Sequence, residues 1–559
     1  MFHELFTSQG KALTGTPWEQ YPRPQLRRES YVNLNGTWDL TVEGKTYPIT
    51  VPFCPESRLS GLGKHFPEGA TLSYCRQFRL PQGFRKDRVL LHVGAADQKA
   101  AVLVNGKHLY THVGGYTAFS VDITDALAED NTLQIRCTDD LHDTTMPYGK
   151  QTLKRGGMWY TPVSGIWQSV WLESVPEQYI RSLDIQVSLD AATVTVTPAL
   201  DGTVICQGKE YPLVGGVAVI APENPRLWTP EDPYLYDFTV LTESDRVGSY
   251  FALRTVEAKE IGGLQRLCLN GKPYFFHGLL DQGYWPDGIY TPAAPECYEE
   301  DIRAMKALGF NTLRKHIKVE PEEFYYQCDR LGMVVFQDMV NNGTYSFLKD
   351  TALPTLGVQQ RSDKKLHKGL PGRQMFLNAM EATVRQLKNH PSIVLWTIFN
   401  EGWGQFDSAA VYERLKALDN TRIIDSTSGW YRQETGTDVD SRHIYFTSWK
   451  ALQPSQKPLI LSEFGGYACP VKDHLFNPRR SYGYKACKDA AQFQKDIEAL
   501  YREKVLPAIR RGLCAAICTQ VSDVEDEING FLTYDRAVCK ADPAAMQQLA
   551  QALQEAIAE

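Results

Sequence analysis

The stretch CYEEDIRAMKALGFNTLRKHIKVEPEEFYYQCDRLGMVVFQD, residues 297–338, alternates twice between a helical pattern and a strand pattern. Segments 297–309 and 321–332 predict helices, and the apolar segments FNTLRKH (310–316) and MVVFQD (333–338) predict strands. Strands that are apolar almost throughout are buried on both faces. This region therefore predicts a parallel sheet covered by helices.

The same alternation continues to the C-terminus and gives eight predicted strands. Besides the two above, the strands are PYFFHGLL (273–280), IVLWTIFNE (393–401), TRIIDST (421–427), HIYF (443–446), PLILSEF (458–464) and LCAAICTQ (513–520), and a further helix is predicted at 376–390. Eight parallel strands in about 300 residues predict a (β/α)8 TIM barrel, whose functional residues lie at the C-terminal ends of the strands.

The part of the chain before the barrel is predicted to be all β. Short alternating runs such as KAAVLVNGK (99–107) are separated by turn residues. We predict a multidomain protein with a jelly-roll β-sandwich at 1–175, an immunoglobulin-like β-sandwich at 176–257 and the TIM barrel at 258–559.

Composition narrows the partners and the compartment. The chain has a net charge of −7 and no long run of lysine or arginine, which argues against a nucleic-acid partner. No stretch has the ~18 apolar residues of a membrane span, and no signal peptide is visible at the N-terminus. The 12 cysteines form no CxxC pair and indicate free thiols in a reducing compartment. We therefore expect a cytoplasmic protein.

Two glutamates follow buried strands. Asn400 and Glu401 end the run IVLWTIF, and Glu463 follows PLILS. Either glutamate alone is equally consistent with a catalytic role and with a role as a loop residue or ion-pair partner. Two on opposed strand ends can face each other across the barrel mouth, and paired carboxylates are what cleavage of a glycosidic bond requires.

Several segments also resemble glycoside hydrolase family 2, the family of β-galactosidases, β-glucuronidases and β-mannosidases. The segments are WTIFNEGWG (396–404), LSEFGG (461–466), NLNGTWDL (33–40), VPFCPES (51–57), GIWQSVWLE (165–173), ENPRLWTPEDPYLY (223–236) and NGKPYFFHG (270–278). The resemblance covers nearly the whole chain. It implies a glycosidase that acts on a glycoside or oligosaccharide.

The resemblance also implies roles for five residues. Glu401 would be the general acid and base, and Glu463 the nucleophile of a retaining reaction. Asn400 would bind the sugar 2-hydroxyl. Arg314 would keep Glu463 anionic, and Tyr445 would hydrogen-bond the same carboxylate.

Four more side chains at strand ends are candidate sugar ligands. His316 and His443 could bind hydroxyls, but a structural role is an equal alternative. Asp281 and Asp338 follow the first and third barrel strands, and capping a helix or fixing a loop is an equal alternative for both.

Aromatic residues and a long connection complete the predicted barrel mouth. Trp403 and Trp430 form either the floor of the pocket or part of the core. Segment 339–375 is too long for an ordinary connection and predicts a loop over the mouth, with gating or aglycone contact as a hypothesis.

The sequence departs from better-known family members after the eighth strand. Gln520 stands where many members have tryptophan, and Asp523, Glu525 and Asp526 follow it as sugar ligands, cation ligands or a solvated loop, the last being preferred. The Asn-x-Lys pair with which β-glucuronidases grip a sugar carboxylate is absent after the nucleophile strand. An acidic rim would also repel a uronate.

A neutral sugar, with a β-galactoside first, is therefore preferred. Alternatives are a β-glucuronidase, a β-mannosidase, an α-L-arabinopyranosidase or a carbohydrate-binding protein without catalysis. The sequence requires no cofactor, and it leaves cation use and homo-oligomerisation open.

Overall fold

The computed structural model describes residues 2–353, 358, 362–364, 366–433, 435–445, 449 and 452–558. Along the chain, two antiparallel β-sandwiches precede an eight-stranded parallel barrel, and this order confirms the predicted fold class. The exact domain limits at 175 and 257 stay predictions.

The first sandwich consists of a four-stranded sheet (β1-β12-β5-β9), a six-stranded sheet (β3-β2-β4-β10-β7-β8) and a two-stranded pair (β11-β6). Its strands are β1 Val32–Asn33, β2 Gly36–Val42, β3 Lys45–Val51, β4 Thr71–Phe78, β5 Arg88–Val93, β6 Ala96–Asp97, β7 Lys99–Val104, β8 Lys107–Val113, β9 Phe119–Asp122, β10 Asn131–Thr138, β11 Gly165–Ile166 and β12 Val170–Val175. Strand β2 alternates buried and exposed residues, so the two large sheets enclose one apolar core.

The second sandwich pairs a three-stranded sheet (β13-β14-β17) with a four-stranded sheet (β16-β15-β18-β19). Its strands are β13 Ser182–Val187, β14 Ala192–Thr197, β15 Gly202–Cys206, β16 Lys209–Leu213, β17 Val217–Ile220, β18 Tyr236–Thr242 and β19 Arg246–Phe251. A further antiparallel sheet leads into the barrel and consists of β20 Val256–Ile261, β21 Leu264–Leu269 and β22 Lys272–Pro273.

The barrel strands follow the predicted apolar runs. They are β23 Phe276–Asp281, β24 Thr312–Lys315, β25 Val334–Asp338, β26 Ile393–Asn400, β27 Ile423–Ser428, β28 Asp440–Ile444, β29 Leu459–Gly465 and β32 Leu513–Thr519; the short pair β30 Tyr467–Ala468 and β31 Lys485–Ala486 lies outside. Hydrogen-bonded neighbours run in the order β27-β26-β25-β24-β23-β32-β29-β28. A contact of 3.2 Å between the Oγ atoms of Ser428 and Ser441 links β27 to β28 and brings the barrel close to closure.

The described α-helices are α1 Ser8–Ala12, α2 Glu296–Ala307, α3 Glu322–Leu331, α4 Leu370–Leu387, α5 Ser408–Leu418, α6 Ala490–Leu500, α7 Leu506–Ile509 and α8 Pro543–Ala558. A short 3-10 turn lies at Thr124–Ala126, and π-helical turns lie at Phe347–Ala352 and Tyr501–Val505. Among these described helices, none combines the length and the apolar character needed to cross a bilayer.

The N-terminal segment and the loop between β10 and β11 both pack against the barrel. The hydroxyl of Thr7 donates to Asp287 at 2.7 Å, and the indole of Trp18 donates to the carbonyl of Pro292 at 2.9 Å. The loop between β10 and β11, residues 139–164, is named here the sandwich loop. Its Tyr148 donates through its hydroxyl to the carbonyl of Gly343 at 2.8 Å. One wall of the barrel mouth is thus contributed by the first sandwich.

Candidate active site

The strand that carries Glu463 contains a β-bulge. Leu461 of β29 pairs with Ala516 of β32 and Phe464 with Cys518, so that Ser462 and Glu463 together oppose a single residue. The register with β28 also shifts at this point. In a regular strand, adjacent side chains point to opposite faces. The bulge lets the side chains of both Ser462 and Glu463 face the barrel interior.

The carboxylate of Glu463 is buried and accepts hydrogen bonds on both oxygens. Arg314 donates to Oε1 at 3.0 Å, and the hydroxyl of Tyr445 donates to Oε2 at 2.9 Å. Nδ1 of His443 lies 3.5 Å from Oε2, and Nδ1 of His316 lies 4.0 Å from Oε1. Burial alone would raise the pKa of Glu463, but His443, Arg314 and His316 outweigh it and lower the pKa. Glu463 is therefore held as an anion.

Arg314 connects four barrel strands through its guanidinium. Nε donates to Asp338 at 2.9 Å, Nη1 to Glu463 at 3.0 Å and to the carbonyl of Ser462 at 3.1 Å, and Nη2 to Oδ1 of Asn400 at 2.9 Å. The planar fork of an arginine suits this set of fixed acceptors. Burial alone would lower the pKa of Arg314, but the carboxylates of Asp338 and Glu463 raise it, so the side chain remains charged.

Glu401 lies opposite Glu463 and has different surroundings. Its backbone is left-handed (φ 52°), and its N–H donates to the carbonyl of Ser428 at 2.9 Å. Its Oε1 lies 2.9 Å from Nδ1 of His443. Arginine has no acceptor atom, so its contact of 3.3 Å with Nε2 of the same ring makes Nε2 an acceptor. Nδ1 therefore carries the proton and donates a hydrogen bond to Glu401. A Cβ on Gly429 would lie 3.2 Å from Cγ of Glu401, and glycine is required at that close approach.

Asn400 and His316, two of the predicted ligands, lie beside this pair of carboxylates, and Asp338 holds the residues next to them in place. Asn400 turns its Oδ1 to Arg314, which leaves its Nδ2, without a partner among the described residues, for a ligand. His316 donates from Nδ1 to Asp338 at 2.8 Å. Both oxygens of Asp338 are therefore occupied, and its buried carboxylate positions Arg314 and His316 rather than facing a sugar.

The remaining predicted residues divide between the pocket and other places. Trp430 packs edge-on against His443 with ring centroids 5.5 Å apart and so borders the pocket. Trp403 is buried and stacks on Trp159 of the sandwich loop at 5.2 Å. Asp281 instead pairs with Lys315 at 2.6 Å and accepts the N–H of Gly283 at 2.9 Å, in a network separate from the carboxylates.

Segment 339–375 is only partly described, since residues 354–357, 359–361 and 365 lie outside the described part. Residues 446–448 also lie outside the described part; residue 446 is the last of the predicted strand HIYF, and residues 447 and 448 follow that strand. Within the described part, Nδ2 of Asn342 donates to the carbonyls of Thr145 and Gly372, both at 2.7 Å, and therefore joins the segment to the sandwich loop. Helix α4 begins at Leu370, six residues before the predicted start at 376, with Pro371 in its first turn, where proline fits.

The acidic segment after the eighth strand is not a solvated loop, and that prediction is wrong. Asp523, Glu525 and Asp526 are all buried. Lys540 lies 2.6 Å from Asp523, and Arg155 of the sandwich loop lies 3.1 Å from Glu525 and 3.3 Å from Asp526. Burial raises the pKa of Asp523 to about 6 despite Lys540. Glu525 and Asp526 therefore join the barrel to the sandwich loop, whereas Asp523 is paired within the barrel domain.

Two residues near the site were not predicted. Glu527 is buried, accepts the hydroxyl of Tyr160 and the amide of Asn529, and is close enough to Glu463 for the two charges to interact. Lys150 of the sandwich loop places its ammonium 5.0 Å from the ring centroid of Trp403. Glu527 stands in the flagged acidic run, but Lys150 lies in another domain, and no sequence signal places it here.

Two groups of side chains in the described residues have the donor atoms and spacing of a metal site. They are Glu401, His443 and Glu463 in the barrel, and Glu68, Asp140 and His142 in the first sandwich, with ligand atoms in each group within 4.8 Å of one another. The first group is the pair of facing carboxylates itself, so a cation there would occupy the space of a reacting sugar.

Comparisons with known proteins agree with this architecture. The family model "Glycosyl hydrolases family 2, TIM barrel domain" matches residues 261–475. The model "Glycosyl hydrolase 2 galactose-binding domain-like" matches residues 66–197.

Individual relatives span both halves of the molecule. A β-glucuronidase from Mus musculus is 28% identical over 470 residues, which are 71% of this chain and 68% of that protein. A β-galactosidase from Thermoanaerobacter pseudethanolicus is 23% identical over 437 residues, 72% of this chain and 54% of that protein. The solved structure of a β-D-glucuronidase from Dictyoglomus thermophilum superposes with a TM-score of 0.72 at 20% identity and covers 96% of this chain and 98% of that chain.

Proposed function

The chain belongs to glycoside hydrolase family 2 and is a glycosidase, and we propose that it removes a terminal β-linked sugar with retention of configuration. Glu463 is the nucleophile and Glu401 the general acid and base. The observation that carries this proposal is that oxygens of the two carboxylates lie within 4.8 Å of each other. Retaining pairs are about 5–5.5 Å apart, whereas inverting pairs are about 6.5–9.5 Å apart.

The surroundings of the two glutamates suit different tasks. Glu463, held anionic by Arg314 and by its other partners, attacks the anomeric carbon while Glu401 gives its proton to the departing glycosidic oxygen. The covalent glycosyl-enzyme is then attacked by water. Glu401, now a carboxylate, accepts the proton of that water, and the bond to Glu463 breaks.

Neighbouring groups support this sequence of steps. Nδ2 of Asn400 binds the sugar 2-hydroxyl, because its Oδ1 is fixed by Arg314. His443 donates a hydrogen bond from Nδ1 to Oε1 of Glu401 and so orients that carboxyl group. Trp159 and Trp403, stacked at the mouth, support an exo-acting pocket closed on one side by the sandwich loop.

Two sugars are proposed as the terminal unit. A β-galactoside is the first choice from the sequence, because no Asn-x-Lys pair follows the nucleophile strand. The acidic residues that argued against a uronate are, however, buried and paired with Lys540 and Arg155. The ammonium of Lys150 lies near Trp403 and has no ion-pair partner in the described part of the chain, which supports a β-uronide as the second candidate.

Hydrolysis of a panel of p-nitrophenyl glycosides tests the reaction. Glu463→Ala should abolish turnover, and exogenous azide should restore it with formation of the α-glycosyl azide. Azide should also restore turnover of Glu401→Ala, but with formation of the β-glycosyl azide, because azide then attacks the glycosyl-enzyme. Glu243→Ala, at an exposed glutamate of the second sandwich, is the matched control. A protein that binds sugars but cleaves no member of the panel contradicts the proposal and supports a binding role.

Two other predictions are retained as proposals. All 12 cysteines are free in the structure, and we propose a cytoplasmic location, to be tested by cell fractionation. Homo-oligomerisation is to be tested by light scattering of the purified protein.

A further inference from the structure

Lys150 differs from the other buried lysines of the described chain. The buried lysines are Lys150, Lys315, Lys318 and Lys540. Three of them have a carboxylate oxygen within 2.9 Å: Lys315 and Lys318 at Glu320, and Lys540 at Asp523. The ammonium of Lys150 has neither an ion-pair partner nor a hydrogen-bond acceptor among the described residues, although the residue is only 7% exposed. A buried charge is ordinarily paired, so an unpaired one calls for a ligand.

The fold fixes Lys150 at the barrel mouth. The preceding Gly149 has a φ of +66°, and a Cβ there would lie 3.0 Å from the carbonyl oxygen of Ile317, so only glycine allows this approach to the barrel. The carbonyl of Lys150 accepts the N–H of Tyr160 at 3.0 Å and fixes the backbone. The ammonium then lies 5.0 Å from the ring centroid of Trp403, two residues beyond the proposed acid, Glu401.

Among the described residues, no carboxylate oxygen lies within ion-pair distance of the Lys150 ammonium, although Glu463 and Glu527 are near enough to feel its charge. Lys150 is among the groups that lower the pKa of Glu463, but no oxygen of Glu463 lies within 4.0 Å of its ammonium in the described part of the chain. The oxygens of Glu527 are occupied by Tyr160 and Asn529. The hydrogen-bond donors of Lys150 are therefore left for a molecule that enters the pocket.

We propose that Lys150, supplied by the first sandwich, binds the carboxylate of a uronic acid in the pocket and sets the preference for β-uronides. This inference rests on the proposed glycosidase reaction and specifies its substrate class. It accounts for the absence of an Asn-x-Lys pair after the nucleophile strand, because the cation comes from the first sandwich. A charge-assisted contact in a buried site gives more discrimination than an exposed ion pair.

Matched substrates and variants test the role of Lys150. We would measure kcat/KM for p-nitrophenyl β-D-glucuronide against the β-D-glucoside, and for the β-D-galacturonide against the β-D-galactoside, since each pair differs only at C6. Lys150→Met, which keeps the aliphatic stem, should lower the uronide-to-hexoside ratio on the order of 10–100-fold. Lys150→Arg should retain more of the ratio than Lys150→Met. Lys107→Met, at an exposed lysine of the same sandwich, should leave the ratio unchanged.

The ratio separates recognition from support of the nucleophile or of the fold. If Lys150 only stabilises the charge of Glu463 or the loop, Lys150→Met slows both members of a pair equally, and an unchanged ratio overturns the inference. Wild-type enzyme that cleaves hexosides but no uronide also overturns it and leaves the proposed reaction intact. Wild-type enzyme that cleaves no glycoside contradicts the proposed reaction itself. Thermal unfolding of each variant identifies one that has lost its fold. If Lys150→Met is such a variant, the uronide-to-hexoside ratio of Lys150→Arg is used in its place, and a ratio equal to that of the wild type overturns the inference.

Discussion

Replacing Arg314 with methionine removes the cation nearest to the proposed nucleophile, Glu463. The guanidinium nitrogen lies 3.0 Å from Oε1 of Glu463, and both side chains are buried. At that distance and an effective dielectric constant of about 20, the Coulomb attraction is about 5–6 kcal/mol. Part of it is lost to the other acid that shares the charge, Asp338, and to relaxation. Opposite charges at such distances ordinarily lower a carboxyl pKa by about 1–3 units, and that is the expected rise on removal.

The pH dependence of kcat/KM measures this rise. Glu463 must be ionised to attack, so activity falls as the pH drops through its pKa, which is lowered in the native protein. In Arg314→Met we expect the acid limb of the profile to move to higher pH by about 1–3 units. Activity at neutral pH should fall as well, because Asn400 also loses its orienting donor.

Stability gives a second measure with a defined sign. A carboxyl whose folded pKa lies below its unfolded value stabilises the fold above the unfolded pKa, and this stabilisation is lost as the pH falls through the folded pKa. The free energy of unfolding of Arg314→Met should therefore be lower than that of the wild type at pH 7, and the difference should become smaller at acid pH. Arg266→Met, a buried arginine that donates to the carbonyl of Ile509, is the matched control and should leave the acid limb in place. A folded Arg314→Met enzyme with an unmoved acid limb would refute this account of Glu463.

Two further substitutions test neighbouring contacts. Tyr445→Phe removes the neutral hydrogen-bond donor to Glu463 and should move the acid limb of the kcat/KM profile to higher pH by about one unit or less. Tyr110→Phe, at an exposed ring, is the control and should leave the acid limb in place. Equal profiles for the two variants would contradict the assigned contact. Lys540→Met leaves Asp523 buried without its cation and should cost about 3–5 kcal/mol of unfolding free energy at pH 7. The cost should be smaller at pH 5, because the pKa of Asp523 is already about 6 and the protonated acid needs no ammonium; chemical denaturation that gives the same loss at both pH values would count against this pairing.

Most of the barrel could be predicted from the sequence because its strands are apolar on both faces. Runs such as IVLWTIF and LCAAIC have no solvent-facing residue and leave few alternatives to a buried parallel strand. The start of helix α4 was missed because Gly369, Leu370 and Pro371 suggest a loop in the absence of the tertiary contacts that extend the helix.

The sequence predicts which strand ends carry the site, but not the direction of each side chain. Asn400, Glu401 and Glu463 lie at the ends of apolar runs, and this position places them at the barrel mouth. The two-residue bulge at Ser462 and Glu463 depends on the registers of β28 and β32, which no local pattern encodes. The pairing of Glu525 with Arg155 joins residues far apart in the chain, so counting charges in one segment gave the wrong prediction of a solvated loop.

The contribution of the sandwich loop to the barrel mouth has a consequence for inheritance. The bond-breaking groups and the proposed selectivity group are encoded in distant parts of one gene, so a substitution at one leaves the residues of the other unchanged. Exchange of residues 139–164 between homologous chains would be expected to transfer the choice of sugar while the carboxylate pair stays as it is.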